Sequence, residues 1–260
     1  AIELNPNLAS AYFTLSTLKY SNKNKGWKKL LFAESILKNK SQQDQIDIFF
    51  ARANILHRER NYLESSQYLK LANQSKLSIR PSTPDKTINK SKLIMDESFA
   101  KETNIKSNEE YPVSIFIVGM PRSGSTLIES IITMRSEVFD LGEINIFEEV
   151  YLNWKKSDKS FNLAELYWKE TNSKGALKAS TNKCLTNYQY AGIIANQIPN
   201  AKIIHCFRNP LDNILSIYRA NFTFGNEYSS SLVDCTNIYL NQDEIMSRYK
   251  RRFRSKIYDI

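Results

Sequence analysis

Cysteine, histidine and long apolar runs are what this sequence has least of. Its three cysteines, Cys184, Cys206 and Cys235, are scattered and odd in number, and it has two histidines, His57 and His205. A disulfide framework is therefore excluded, and no His/Cys grouping has the spacing of a metal site. Free buried thiols in a reducing, cytoplasmic setting are expected, with no bound metal. No apolar run approaches the about 20 residues of a membrane-spanning helix, and the opening "AIELNPN" has no secretory-signal pattern. Lys/Arg blocks are short as well. The densest, "YKRRFRSK" at 249–256, ends a helical pattern and does not read as a nucleic-acid tail.

What the chain does have is 260 residues, 42% of them hydrophobic, and a net charge of +9. The length suits one large domain or two small ones. The positive balance suits an anionic ligand such as a polyphosphorylated cofactor, and equally a lysine-rich solvated surface.

The most informative stretch is "IFIVGMPRSGSTLIE", 115–129. A β-branched run, a glycine turn and an apolar-periodic segment make a strand, a phosphate-cradling loop and a helix. Gly119 and Gly124 keep the spacing of a Walker loop, but Ser125 stands where the lysine belongs, and Arg122 lies inside the loop. Backbone N–H groups from Arg122 to Thr126, with the hydroxyls of Ser123, Ser125 and Thr126, can converge on an anion at the helix N-terminus. Without the lysine, a Mg²⁺-bound triphosphate loses its main charge clamp. A second constellation is "IIHCFRNPLDNILSIY", 203–218: a strand, Arg208, a helix-starting Pro210, and Ser216 two turns into the helix. Arg208 and Ser216 can grip a second phosphate.

Helical patterns fill residues 1–80. Leu8, Ala11, Tyr12, Leu15 and Leu18 share one face. Phe49, Ala53 and Leu56 form a second, and after a break at Arg60–Asn61 come Tyr62, Ser65, Leu69 and Ala72. These resemble tetratricopeptide helix pairs, whose unit is about 34 residues. Ala1 and Pro6 fall where such a repeat closes, and Tyr12, Leu15 and Ser16 fall on the next unit's first helix. Phe49 and Ala53 recur 37 residues after Tyr12 and Ser16. Lys19 and Arg52 depart from the pattern. Residues 81–111 are polar and read as a linker with one short helix around 92–100.

From 112 to 260 strands alternate with helices. Strands are predicted at 113–118, 138–141, 176–180 and 202–207, with another starting at Ile257. Helices are predicted at 126–134, 143–154, 163–171, 185–197, 211–222 and 232–252. That alternation means a parallel sheet covered by helices, with ligands at the carboxyl ends of the strands. The fold class is thus α/β: a three-layer, P-loop-like parallel-sheet domain preceded by an all-α, tetratricopeptide-like region.

The PRSGST loop and the later Arg-Asn-Pro with its serine together resemble the sulfotransferase superfamily. The closer likeness is to tetratricopeptide-repeat sulfotransferases, whose catalytic domain is similar to that of protein-tyrosine sulfotransferases. The resemblance implies 3′-phosphoadenosine 5′-phosphosulfate as donor, no metal, the loop 122–126 on its 5′-phosphosulfate, and Arg208 with Ser216 on its 3′-phosphate. Glu143 in "DLGEINIF" then matches the family's general base, and Lys183 in "ASTNKCLTN" the lysine on the sulfuryl group and leaving phosphate. The family more often has Asp-Lys where this chain has Asn182-Lys183. It implies a hydroxyl acceptor, on a tyrosine or another group of a peptide or larger molecule docked on the helical repeats. The family pattern also runs on past "KIYDI", so both ends are expected to be truncated, and the fragment itself to bind cofactor weakly or be inactive. Two other functions stay open. A P-loop phosphotransferase needs a loop lysine and a Mg²⁺-holding aspartate that the sequence does not offer. An interaction module with an inactive α/β domain would not need Arg122, Glu143, Lys183, Arg208 and Ser216 together.

Overall fold

The computed structural model describes residues 2–18, 26–100, 111–157, 162–172 and 179–260. The chain divides into two units, one of Ala1–Thr83 with Ile214–Thr236, the other of Pro84–Asn213 with Asn237–Ile260.

The first unit is helical: α1 (Ala9–Thr17), α2 (Gly26–Phe32), α3 (Gln42–Arg58) and α4 (Tyr62–Ile79). Caps start the long helices. Ser41 Oγ accepts the Asp44 N–H at 3.1 Å and Asn61 Oδ1 accepts that of Glu64 at 3.4 Å. α3 is buried on two sides. Ile46, Phe50 and Ala53 pack with Leu69 and Ala72 of α4, and Ile48, Ala51 and Ile55 with Tyr12 and Leu31. Of the α1 face read from the sequence, Tyr12 is buried, but Leu8 and Leu18 flank the helix and are exposed. Arg52, at the position where a leucine was expected, is buried because its charge is met. Its Nε donates to Leu31 O at 2.9 Å and its Nη2 to Ala33 O at 3.1 Å, carbonyls at the α2 C-terminus. Ala1 and Lys19 lie outside the described residues. The later segment joins this unit through Asn73 Nδ2, which donates to Tyr218 O at 3.0 Å, and Asn221 Nδ2, which donates to Asp47 Oδ1 at 3.0 Å.

The second unit opens with α5 (Pro84–Ala100), a 17-residue helix in place of the short one expected within a linker. Its inward face is Ser91, Ile94, Met95 and Ser98, so half of it is serine and leaves little apolar signal. Then follow β1 (Val113–Gly119), α6 (Ser125–Ile132), β2 (Val138–Asp140), α7 (Ile146–Lys156), α8 (Leu163–Asn172), β3 (Ala179–Asn182), a 3₁₀ turn Leu185–Tyr190, α9 (Ala191–Gln197), β4 (Ala201–Cys206), α10 (Pro210–Tyr218), α11 (Leu232–Arg252) and β5 (Ile257–Asp259). Helix α10 runs on into the first unit. The strands form one parallel sheet in the order β2-β3-β1-β4-β5. Central β1 is covered from Phe116 to Met120, as a strand in a helix-covered parallel sheet must be. Its Phe116 meets Phe147 edge-on at 5.6 Å and Tyr167 at 5.4 Å.

Several element boundaries differ from the sequence reading by a residue or two, the helix expected at 185–197 is a 3₁₀ turn followed by α9, and three further differences are larger or bear on the site. β3 lies at 179–182, two residues past the expected end, because Thr181 and Asn182 pair with Ile115 and Phe116 of β1 despite their polarity. Positions 176–178 lie outside the described residues. The helix expected at 143–154 begins at Ile146, which leaves Glu143 in the turn before it. The one expected at 211–222 ends at Tyr218.

On β4, the buried His205 is held between two polar side chains. Gln242 Nε2 donates to its Nε2 at 2.6 Å, so its Nδ1–H donates to Asp259 Oδ1 at 2.8 Å. Burial lowers the His205 pKa, the Lys250 ammonium adds to this, and the Asp259 bond only partly opposes it. The folded state therefore binds fewer protons than an unfolded histidine at about 6.5. The stability from His205 is full above that value and lost as pH falls through the lower folded one. Melting temperature is expected to drop between pH 7.5 and 5.5, and His205→Gln to flatten the drop. Equal slopes for both proteins would refute this.

Candidate active site

The loop after β1 is built by backbone geometry. Gly124 caps α6 with φ +98° and Arg122 sits at φ +66°, both left-handed. Leu127 and Ile128 N–H close back on Gly124 O at 3.0 and 3.2 Å. The N–H groups of Ser125 and Thr126 precede the helical ladder and have no carbonyl within it. Ser123 Oγ donates to Met120 O at 2.8 Å, bracing the loop. Asn213 on α10, fully buried, donates to Pro121 O at 2.9 Å.

On the other side the turn after β2 is stitched to the end of β3. Leu141 N–H donates to Thr181 O at 3.0 Å, and Lys183 N–H to Gly142 O at 3.2 Å. Asn182 Nδ2 donates to Ile144 O at 3.3 Å, while its Oδ1 accepts from Asn187 at 2.9 Å and from Cys184 N–H at 3.3 Å. An aspartate has no N–H for Ile144, so Asn182 serves here as a donor that an aspartate could not be.

These two stitched segments meet at Lys183. Its buried ammonium lies 2.8 Å from Glu143 Oε1, 3.0 Å from Glu129 Oε2 and 3.2 Å from Thr126 Oγ1. Burial works to lower its pKa, but the hydrogen bonds it donates to Glu143 and Glu129 outweigh that, and the net shift is upward. Glu129 is raised in turn, by burial first and by the nearby Asp140, with Lys183 opposing. Glu143 remains 71% exposed at its side chain. A held cation thus sits between a helix start and a carboxylate open to solvent. Such a set can hold an anion on one side and take a proton on the other.

Ser123 and Arg208 line a cavity of about 150 Å³ at the ends of β1 and β4, with Met120, His205 and Asn213. Asn209 Oδ1 accepts from Leu211 and Asp212 N–H at 3.1 and 3.3 Å, which starts α10 with Pro210 in its first turn. Arg208 is exposed, and its guanidinium stands 4.0 Å from Asp212. Ser216 lies on α10, beyond where the chain passes into the first unit. The structure therefore gathers Thr126, Glu143 and Lys183 at one point and Ser123 and Arg208 at another. Ser125 is buried at the start of α6, and Arg122 is exposed. The sequence reading missed Glu129 and Asn213. A polar residue in an otherwise apolar helical pattern was the available signal for each. Among the described residues, no group of three His, Cys, Asp or Glu is placed to hold a metal, and no helix is long and apolar enough to cross a membrane.

A protein of Aquifex aeolicus (strain VF5), described only as an uncharacterized protein, is 31% identical over 170 residues, 56% of this chain and 22% of that protein. The chain thus spans about a fifth of that relative's length. The model of the Sulfotransferase family matches residues 112–260, from the approach to β1 to the end of the chain. With more than half its length matched, this chain belongs to the sulfotransferase family, whose general chemistry is sulfuryl transfer.

Proposed function

We propose that the second unit transfers a sulfuryl group from 3′-phosphoadenosine 5′-phosphosulfate to a hydroxyl acceptor. The observation that carries this reading is the buried Lys183 ammonium, held between Thr126 at the start of α6 and the exposed carboxylate of Glu143. When bound, the donor supplies a sulfuryl group activated by a phosphate leaving group. Arg122, Ser123, Gly124, Ser125 and Thr126 would hold its 5′-phosphosulfate, and Arg208 its 3′-phosphate. A helix start with unsatisfied N–H groups and a buried cation suits that anion. Glu143 takes the acceptor's proton. Lys183 and Arg122 balance negative charge on the donor side. The acceptor hydroxyl belongs to a tyrosine or another group of a peptide or larger molecule. The paired helices of the first unit, read as tetratricopeptide-like, offer it a docking surface.

Calorimetric titration tests the donor. 3′-Phosphoadenosine 5′-phosphate is expected to bind more tightly than ATP with Mg²⁺, and the reverse preference would overturn the reading in favour of a phosphotransferase. Arg208→Ala removes a charge-assisted contact of about 2–3 kcal/mol, or roughly a hundredfold in affinity. Adenosine 5′-phosphosulfate, which lacks the 3′-phosphate, is expected to bind this variant as it binds the wild type. Equal losses for both ligands would refute the 3′-phosphate assignment.

A further inference from the structure

Lys183 has three oxygen partners, and they are not equivalent. Thr126 and Glu129 stand three residues apart on α6, on one face of one helix. Glu143 stands in a turn. The side chain of Glu129 is 8% exposed, that of Glu143 71%. The second oxygen of Glu129, Oε1, is buried and has no hydrogen-bond partner among the described residues. A carboxylate so placed is costly unless it balances a charge, and the charge it meets is Lys183. A buried ammonium in turn needs a counter-charge that stays when a ligand arrives. The exposed Glu143 cannot both stay on Lys183 and take a proton from an acceptor.

We propose that Glu129 is the positioning residue for Lys183: it anchors the ammonium against α6, directed at the loop, and so releases Glu143 to act as base. This rests on the reading of Lys183 and Glu143 given above. Glu129 itself touches neither donor nor acceptor. Division of labour follows from the two exposures. The buried carboxylate keeps the lysine charged and in place, and the solvated one is open to exchange its partner.

The charged groups facing Lys183 are Glu129 from α6 and Glu143 from the turn after β2, and Asp140 faces Glu129 from the end of β2. Burial alone would discharge Lys183 at a lower pH, and the carboxylates oppose this. Removing the buried one is therefore expected to bring the loss of charge down the pH scale. The probe is 3′-phosphoadenosine 5′-phosphate, titrated calorimetrically between pH 7 and 10.5 into the wild-type chain and into Glu129→Gln, Glu143→Gln and Lys183→Met, with thermal melts as a check on folding. Wild-type binding is expected to begin weakening only at the top of this range, because the Lys183 pKa is raised above its ordinary value, and this basic limb is absent from Lys183→Met. Glu129→Gln is expected to move that limb down by about one pH unit, a size ordinary for loss of a close counter-charge. Glu143→Gln is expected to move it by less, because that carboxylate is 71% exposed and water screens its charge. A limb unmoved in Glu129→Gln, with Lys183→Met binding poorly, overturns the positioning role and leaves the donor site standing. Wild-type affinity and limb in Lys183→Met overturn both. If Glu129→Gln does not fold, Glu129→Asp takes its place: a smaller shift in the same direction supports the role, and no shift overturns it.

Discussion

Glu143→Gln is expected to lower turnover of the complete protein by about 10²–10⁴, the usual contribution of a positioned general base. The amide is close in size to the carboxylate and accepts no proton at neutral pH. Binding of 3′-phosphoadenosine 5′-phosphate is expected to change little, because the Glu143 side chain is 71% exposed and Lys183 keeps Glu129 and Thr126 as partners. The loss should fall on kcat, since the proton is taken only as the transition state forms. Turnover is measured with donor saturating and acceptor varied, beside a calorimetric titration of the same preparation. Near wild-type turnover with binding intact would remove Glu143 from the base role.

The placement of Glu143 shows what the sequence can and cannot convey. Strands β1 and β4 were legible because each is a dense apolar run ended by a loop, and the two groups of residues proposed to bind the donor follow those ends. β3 was harder. Its residues, "ASTN", are polar, and burial of Thr181 and Asn182 comes from ladder partners on β1 and β2 that lie far away in sequence. The expected strand was accordingly drawn toward the apolar residues just before it. Glu143 was singled out by its Gly-Glu pattern, yet Glu129, which meets the same lysine, was not. A glutamate in a short amphipathic helix ordinarily faces water, and only the crossing of β3 beside α6 brings Lys183 to it. The helix α5 hid for a related reason, since buried serines satisfy their own helix: Ser91 Oγ donates to Thr87 O at 2.8 Å and Ser98 Oγ to Met95 O at 2.6 Å. The grouping of 214–236 with the first unit was beyond reach, because it rests on Asn73, Asp47 and other partners more than a hundred residues away.

Gly119→Ala is expected to be the most damaging single change to the second unit. Gly119 is the last residue of β1 and pairs with Cys206 at the end of β4. Its φ is +141°, a conformation L side chains rarely adopt, and a Cβ placed there would stand 2.3 Å from the Cys206 carbonyl oxygen. Neither strand can yield easily, because both lie inside the parallel sheet and the contact is with backbone. Backbone strain of about 1–3 kcal/mol and overpacking of about 1–3 kcal/mol act together, so a loss of about 3–5 kcal/mol is expected. For a unit of this size that corresponds to a melting temperature lower by about 6–20 °C. Gly225→Ala separates the two causes. Gly225 also has a positive φ, +80°, but nothing lies within 4 Å of its would-be Cβ, so it carries the backbone strain alone. Its expected cost is about 1–2 kcal/mol. The comparison is made by thermal melts followed by circular dichroism. If the two variants lose equal stability, the close approach of β1 to the Cys206 carbonyl is not what reserves position 119 for glycine. If Gly119→Ala is the costlier, the start of the phosphate loop is fixed by that approach, and the surviving folded fraction should bind 3′-phosphoadenosine 5′-phosphate more weakly than wild type, because Met120 to Gly124 take their positions from the end of β1.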